Sequence, residues 1–118
     1  MTGKHILLPG VLRDPAGLAW EPFRDGIEVS WLYRNGDHGP AAAFLRYAPG
    51  ARVPFHFHAG YEHVMILSGS QTDCNGRHGP GALVINPPGT SHEVVSEDGC
   101  IVLLVWERPV VFLPDPAR

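Results

Sequence analysis

His56-Phe57-His58-Ala59-Gly60-Tyr61-Glu62 is the stretch on which the reading of this chain turns. In a β-strand alternate side chains leave the same face, so His56 and His58 converge while Phe55 and Phe57 point the other way. Gly60 lets the backbone bend, and Glu62 then opens the apolar run Val64-Met65-Ile66-Leu67 of a following strand. Further on, His92 follows the corner Pro87-Pro88-Gly89 and leads into Val94-Val95, so a tight turn delivers it to the mouth of another strand. Three imidazoles and one carboxylate, His56, His58, Glu62 and His92, are thus the candidate ligands of a single metal ion inside a β-barrel.

Working outward, the 118 residues are 44% hydrophobic, enough for one core and too few for two ordinary domains. A net charge of -3 without any run of Lys or Arg offers no electrostatic footprint for nucleic acid or an anionic membrane, and neither is expected as a partner. The longest apolar stretches, such as 101–106, are too short to span a bilayer. Met1-Thr2-Gly3-Lys4-His5 does not open a secretory signal, and a soluble cytoplasmic protein is expected. Cys74 and Cys100 do not form a Cys-x-x-Cys pair and are read as reduced thiols outside the site.

The 14 glycines and 12 prolines are scattered among short apolar runs, and no long stretch repeats apolar residues at helical spacing. The chain therefore reads as all-β, with strands at 26–34, 42–47, 52–58, 63–68, 71–73, 82–86, 92–96 and 101–105 and a last one near 110–113. That number of short strands suits a barrel or a double-sheet jelly roll. Residues 1–25 read as an irregular arm anchored by Leu12, Leu18 and Trp20, residues 26–113 as the barrel domain and residues 114–118 as a frayed tail. The run Ile101-Val102-Leu103-Leu104-Val105-Trp106 does not alternate, so both of its faces should be covered. The arm around Ile6-Leu7-Leu8 or a second copy of the chain would supply the outer cover, and a homodimer is expected.

Gly50, His56, His58, Glu62 and Gly69 match the first motif of the cupin superfamily at every spacing. Gly81, Pro87, Gly89 and His92 match most of the second, with Ser96 where the family usually has Asn, a position that is not a metal ligand there. Trp31-Leu32-Tyr33-Arg34-Asn35-Gly36-Asp37, Leu45-Arg46-Tyr47-Ala48-Pro49-Gly50-Ala51 and Ser96-Glu97-Asp98-Gly99-Cys100 narrow the resemblance to the cupin domain of ChrR-type anti-sigma factors and small proteins related to it, some of them dioxygenase-like. The resemblance implies an RmlC-like cupin double-stranded β-helix, with His56, His58, Glu62 and His92 as metal ligands. It covers only the cupin half of ChrR-type proteins. Their sigma-gripping helical zinc module has no counterpart in these residues, so sigma binding is not expected of them.

Neutral imidazoles with a carboxylate are borderline donors that suit divalent Fe, Mn, Ni, Cu or Zn, one ion per chain, and do not suit Ca or Mg. Tetrahedral zinc would be saturated by the four side chains, the pattern of a closed sensory or regulatory module of ChrR type. A six-coordinate ion would keep two positions open, the pattern of an oxygenase-type enzyme acting on a small chelating organic molecule, with Glu62 a ligand or, on release, a base. By alternation Val64, Ile66 and Val94 should line the pocket, with Phe44, Tyr47 and Trp31 as candidates from neighbouring strands. His63 should face away from it, and His5, His38 and His78 read as solvated imidazoles. Arg46 and Arg52 would either meet an anionic substrate or pair with surface carboxylates.

Overall fold

A computed structural model describes residues 3–113, so the tail expected at 114–118 lies outside the described residues. The strands are β1 (Glu21–Arg24), β2 (Ile27–Arg34), β3 (Ala41–Tyr47), β4 (Ala51–Phe57), β5 (Glu62–Gly69), β6 (Gln71–Asp73), β7 (Gly76–His78), β8 (Leu83–Asn86), β9 (Ser91–Ser96), β10 (Cys100–Trp106) and β11 (Val111–Phe112). They form two antiparallel sheets, one of six strands in the order β1-β2-β3-β10-β5-β8 and one of five in the order β11-β4-β9-β6-β7. This is the expected all-β cupin jelly roll. No helix among the described residues is long and apolar enough to cross a membrane.

The six-stranded sheet carries most of the core, stacked in transverse layers by its register. Ile27, Tyr47 and Cys100 close one end, and Val29, Leu45, Val102 and Ile66 form the next layer. Above them come Trp31, Ala43, Leu104, Val64 and Val84, and the last layer holds Ala41, Trp106, Glu62 and Asn86. Ala41 and Ala43 are small enough for Trp31 and Trp106 to meet edge to face across the intervening β3, with ring centroids 5.9 Å apart. At Gly69 the backbone has φ +72, and a Cβ there would lie 2.0 Å from the Gly99 carbonyl oxygen. Only glycine allows the strand end to approach that turn so closely.

Two strands arise where none was expected. β1 lies in the segment read as an irregular arm, which also holds a single 3-10 turn at Pro15–Gly17. β1 is an edge strand, where Pro22 is tolerated because one side of the backbone needs no ladder partner. β7 is too short and polar to show alternation and exists because the turn after β6 folds it back onto that strand. Strict alternation also fails inside β4. Val53 stands opposite Val94 and His56 opposite His92, so a bulge at Pro54 and Phe55 turns both Val53 and His56 inward.

Candidate metal centre

The pairing of β4 with β9 sets His56 beside His92, and His58 follows just past the end of β4, where its backbone N–H donates to the Thr90 carbonyl at 2.8 Å. The three imidazoles close on one another, with ring centroids 5.0 Å (His56–His58), 4.7 Å (His56–His92) and 4.8 Å (His58–His92) apart. All three are buried, and a ring nitrogen of each lies within 4.8 Å of the others.

Hydrogen bonding defines which nitrogens these are. His56 Nδ1 lies 2.8 Å from the Pro54 carbonyl, which can only accept, so Nδ1 carries the proton. His58 Nδ1 donates to the Thr90 carbonyl (3.1 Å) and to Thr90 Oγ1 (2.9 Å), a hydroxyl whose own proton goes to the Pro87 carbonyl at 2.7 Å. His92 Nδ1 donates to Asp73 Oδ2 at 3.1 Å. With every Nδ1 engaged as a donor, each ring in its neutral form presents the lone pair of Nε2, the tautomer in which imidazole ligates metals. His58 Nε2 is buried and has no hydrogen-bond partner among the described residues.

Glu62 reaches the same place from the other sheet. Its Oε1 accepts a hydrogen bond from Asn86 Nδ2 at 3.1 Å, across the β5–β8 ladder, and lies 3.5 Å from His58 Nε2. It falls outside the group of three mutually close imidazole nitrogens. With His58 in that neutral form, the carboxylate oxygen and the imidazole lone pair are two buried acceptors without a donor between them, and a cation there satisfies both. The donor set present therefore fits a divalent transition metal ion.

Burial pushes the His56 imidazole below its usual value, and the hydrogen bond to the Pro54 carbonyl only partly offsets this. His92 is lowered by burial and by His58, against the upward pull of Asp73. Both rings are thus neutral and ready to ligate at pH 7. Burial raises the Asp73 carboxyl, but the hydrogen bonds from His78 and the Asn75 amide, with the charges of His78 and His92, outweigh it and hold the group below its ordinary range. Asp73 accepts from His78 Nε2 at 3.0 Å on one oxygen and from His92 on the other, so it fixes the orientation of His92.

A cavity of about 220 Å³ opens onto His56, His92 and Glu62. Its walls include Trp31, Tyr47, Val64, Val94, Leu104 and Trp106, and Phe23, Arg24, Arg34 and Phe112 also border it. Burial, and secondarily Cys100 and Glu62, push the Tyr47 phenol far up, so it stays protonated.

Val64 and Val94, expected from alternation, and the candidates Trp31 and Tyr47 line this space, whereas Ile66 and Phe44 do not. Ile66 sits in a deeper layer of the core, and Phe44 faces the opposite side of its sheet, between Ser30 and Leu103. His63 is likewise on the outer face, opposite Val105 and Ile85. His78 is not a solvated surface residue: it lines the cavity and holds Asp73. Arg46 and Arg52 pair with Glu28 (2.7 Å) and Glu93 (3.1 Å) and stand away from the cavity. Ser96, fully buried, donates to the Ser70 carbonyl at 2.6 Å, a structural role. The supporting residues Asp73, Thr90 and Asn86, and Arg24 at the cavity, escape a reading of the sequence. Only the clustering of polar residues in short β6, and in the corner before His92, hints at the first two.

The model of the ChrR cupin-like domain family matches residues 9–110. The chain belongs to this family. It is 31% identical over 112 residues to the anti-sigma-E factor ChrR of Cereibacter sphaeroides, covering 88% of this chain and 51% of that protein. It is 30% identical over 81 residues to the putative dimethylsulfoniopropionate lyase DddL of the same organism, covering 60% of this chain and 35% of DddL. The chain thus spans about half the length of ChrR and about a third of DddL. The solved acetylacetone dioxygenase from Acinetobacter johnsonii superposes over all of this cupin domain and 83% of its own chain, with a TM-score of 0.78 at 15% identity, a likeness of fold.

Proposed function

We propose that this ChrR-like cupin holds one divalent transition metal ion, Fe, Mn, Ni, Cu or Zn, between His56, His58 and His92 with Glu62 as the fourth donor, and acts as an oxygenase-type enzyme on a small organic molecule. The observation that carries this reading is the cavity, which opens onto His56, His92 and Glu62 and is walled largely by apolar and aromatic side chains. A closed structural ion needs no such space. A bound divalent ion supplies Lewis acidity, stabilising negative charge on an oxygen of the chelated molecule. Trp31, Val64, Val94, Leu104 and Trp106 exclude water and hold the apolar part of that molecule. Glu62, held by Asn86, would on release from the ion be the group to take a proton from it. The deciding experiment combines elemental analysis with oxygen uptake by the Fe-, Mn-, Ni- and Cu-loaded protein over a panel of diketones and phenolic ketones. Uptake with one of them is expected, and none with any would overturn the enzyme reading.

A second reading, a zinc-binding sensory or regulatory module without catalysis, draws on the identity with ChrR across 88% of the chain. Stoichiometric zinc with four protein ligands and no exchangeable position, seen by X-ray absorption, would favour it. Under either reading the chain is proposed to be a homodimer. Leu83 and Ile85 are exposed on the outer face of edge strand β8, beside Met65 on β5, and Ile6, Leu7 and Leu12 of the arm are exposed as well. Sedimentation equilibrium should return twice the chain mass, and a monomer in dilute solution would refute the dimer.

A further inference from the structure

Four charged side chains line the cavity: Glu62, Asp73, Arg24 and Arg34. The acids are engaged, Glu62 with Asn86 and Asp73 with His78 and His92. The arginines are not: among the described residues, no carboxylate forms an ion pair with either guanidinium. By contrast Arg46, Arg52 and Arg77, which lie away from the cavity, pair with Glu28, Glu93 and Asp98. Arg34 is exposed and stacks over Trp31, 4.6 Å from the ring centre. Arg24 is half-buried, stacks over Phe112 at 4.4 Å from the ring centre, and is close enough to the buried Tyr47 phenol to lower its proton affinity.

Stacking on an aromatic face occupies the flat side of a guanidinium and leaves its in-plane N–H groups free, the edge that grips a carboxylate with two parallel hydrogen bonds. A half-buried cation without a counter-charge is costly, and that cost is relieved when an anion enters. The charge balance agrees. Glu62 and Asp73 contribute two negative charges, which a divalent ion at the imidazoles would offset, leaving the Arg24 charge without a counter-charge among the described residues.

We propose that Arg24 is the specificity-determining residue of this cavity and that the molecule it admits is a small organic monoanion, a carboxylate of a few carbons. Its charged end meets Arg24, and its carbon chain lies among Trp31, Val64, Val94, Leu104 and Trp106. The inference rests on the reading of the cavity as a ligand site next to a metal centre, and it names the class of ligand.

The test is a fluorescence titration of the metal-loaded protein, using its tryptophans, Trp31 and Trp106 at the cavity wall among them, with 2-oxobutanoate and with 2-oxobutanamide, which has nearly the same shape without the charge. Metal content is measured on the same samples. The acid should bind at least about tenfold more tightly than the amide, as expected for a charge-assisted bidentate contact. In Arg24→Gln the ratio should collapse towards one with metal content unchanged, and Arg24→Lys, which keeps the charge and guards against a folding defect in the first variant, should retain part of it. No binding of the acid, equal binding of the two compounds, or a ratio that survives Arg24→Gln would each overturn the proposal. Full metal loading without acid preference would sink this inference alone. Acid preference without metal would uphold it while the metal reading failed.

Discussion

The two sheets divide the labour of this molecule. The six-stranded sheet carries nearly all of the buried apolar core, in layers from Ile27, Tyr47 and Cys100 up to Trp31 and Leu104. The five-stranded sheet carries His56 on β4, His92 on β9 and Asp73 on β6, and its strands are short and interrupted by a bulge. Around the imidazoles the first sheet contributes Glu62 and Asn86, placed there by the ladder between β5 and β8, as well as much of the cavity wall. The lesson is a separation of stability from chemistry. Apolar burial that sustains the fold sits mostly on one wall, so the other can hold buried polar groups whose desolvation a metal ion would relieve.

That division can be broken from either side. The largest effect is expected at the ligands. His58→Ala or His92→Ala should remove most of the bound metal, read by elemental analysis, while far-ultraviolet circular dichroism still reports a folded β domain. Metal content unchanged in either variant would refute the assignment. On the other wall, Gly69→Ala forces a left-handed backbone on alanine and drives its Cβ into the Gly99 carbonyl. It should cost at least ~2 kcal/mol in urea unfolding, with metal stoichiometry preserved in the folded fraction.

A subtler effect sharpens the comparison within the polar wall. Asp73→Ala leaves the His92 Nδ1–H without its acceptor and frees the ring to turn, so affinity for metal should fall roughly 10–100-fold without loss of fold. Competition with a chromophoric chelator would measure it, and an unchanged affinity would show that Asp73 does not orient the ligand. The smallest effect is in pH dependence. The folded protein holds His56 and His92 below their usual value, so an unfolded chain takes up protons near pH ~6.5 that the metal-free native state refuses. Stability of the metal-free protein should therefore decline as pH falls below that point. It should decline again in more acid solution, as Asp73, lowered in the folded state, becomes protonated. Urea midpoints at pH 7.5 and 5.5 test the first step, and His92→Ala should show a smaller drop.

Much of the architecture was legible because strand chemistry is local. Periodicity and turn residues place β6 at its observed bounds and most other strands within a residue or two, and they put His56 and His58 on one face. What escaped depends on contacts between segments far apart in the chain. β1 reads as coil because Pro22 is excluded from a strand interior, and only its place at the edge of a sheet makes it acceptable. Phe44, a lining candidate from a neighbouring strand, faces outward because its neighbours Ala43 and Leu45 take the inner face, and the outer side of β3 is buried too. His78 looked like a turn residue and lies at the cavity because β7 folds onto β6.

By itself the sequence determined the all-β class and the candidate ligands His56, His58, Glu62 and His92, because side-chain alternation and turn preferences act over a few residues. Tertiary structure alone decided how those side chains are served. It gave each imidazole its Nδ1 partner, Pro54, Thr90 or Asp73, set Asn86 against Glu62, and left Arg24 at the cavity without an ion pair among the described residues. The physical reason is that a buried polar group is satisfied by whatever the packing brings within about 3 Å of it, and for His58, His92 and Glu62 that partner comes from a strand or loop well removed along the chain.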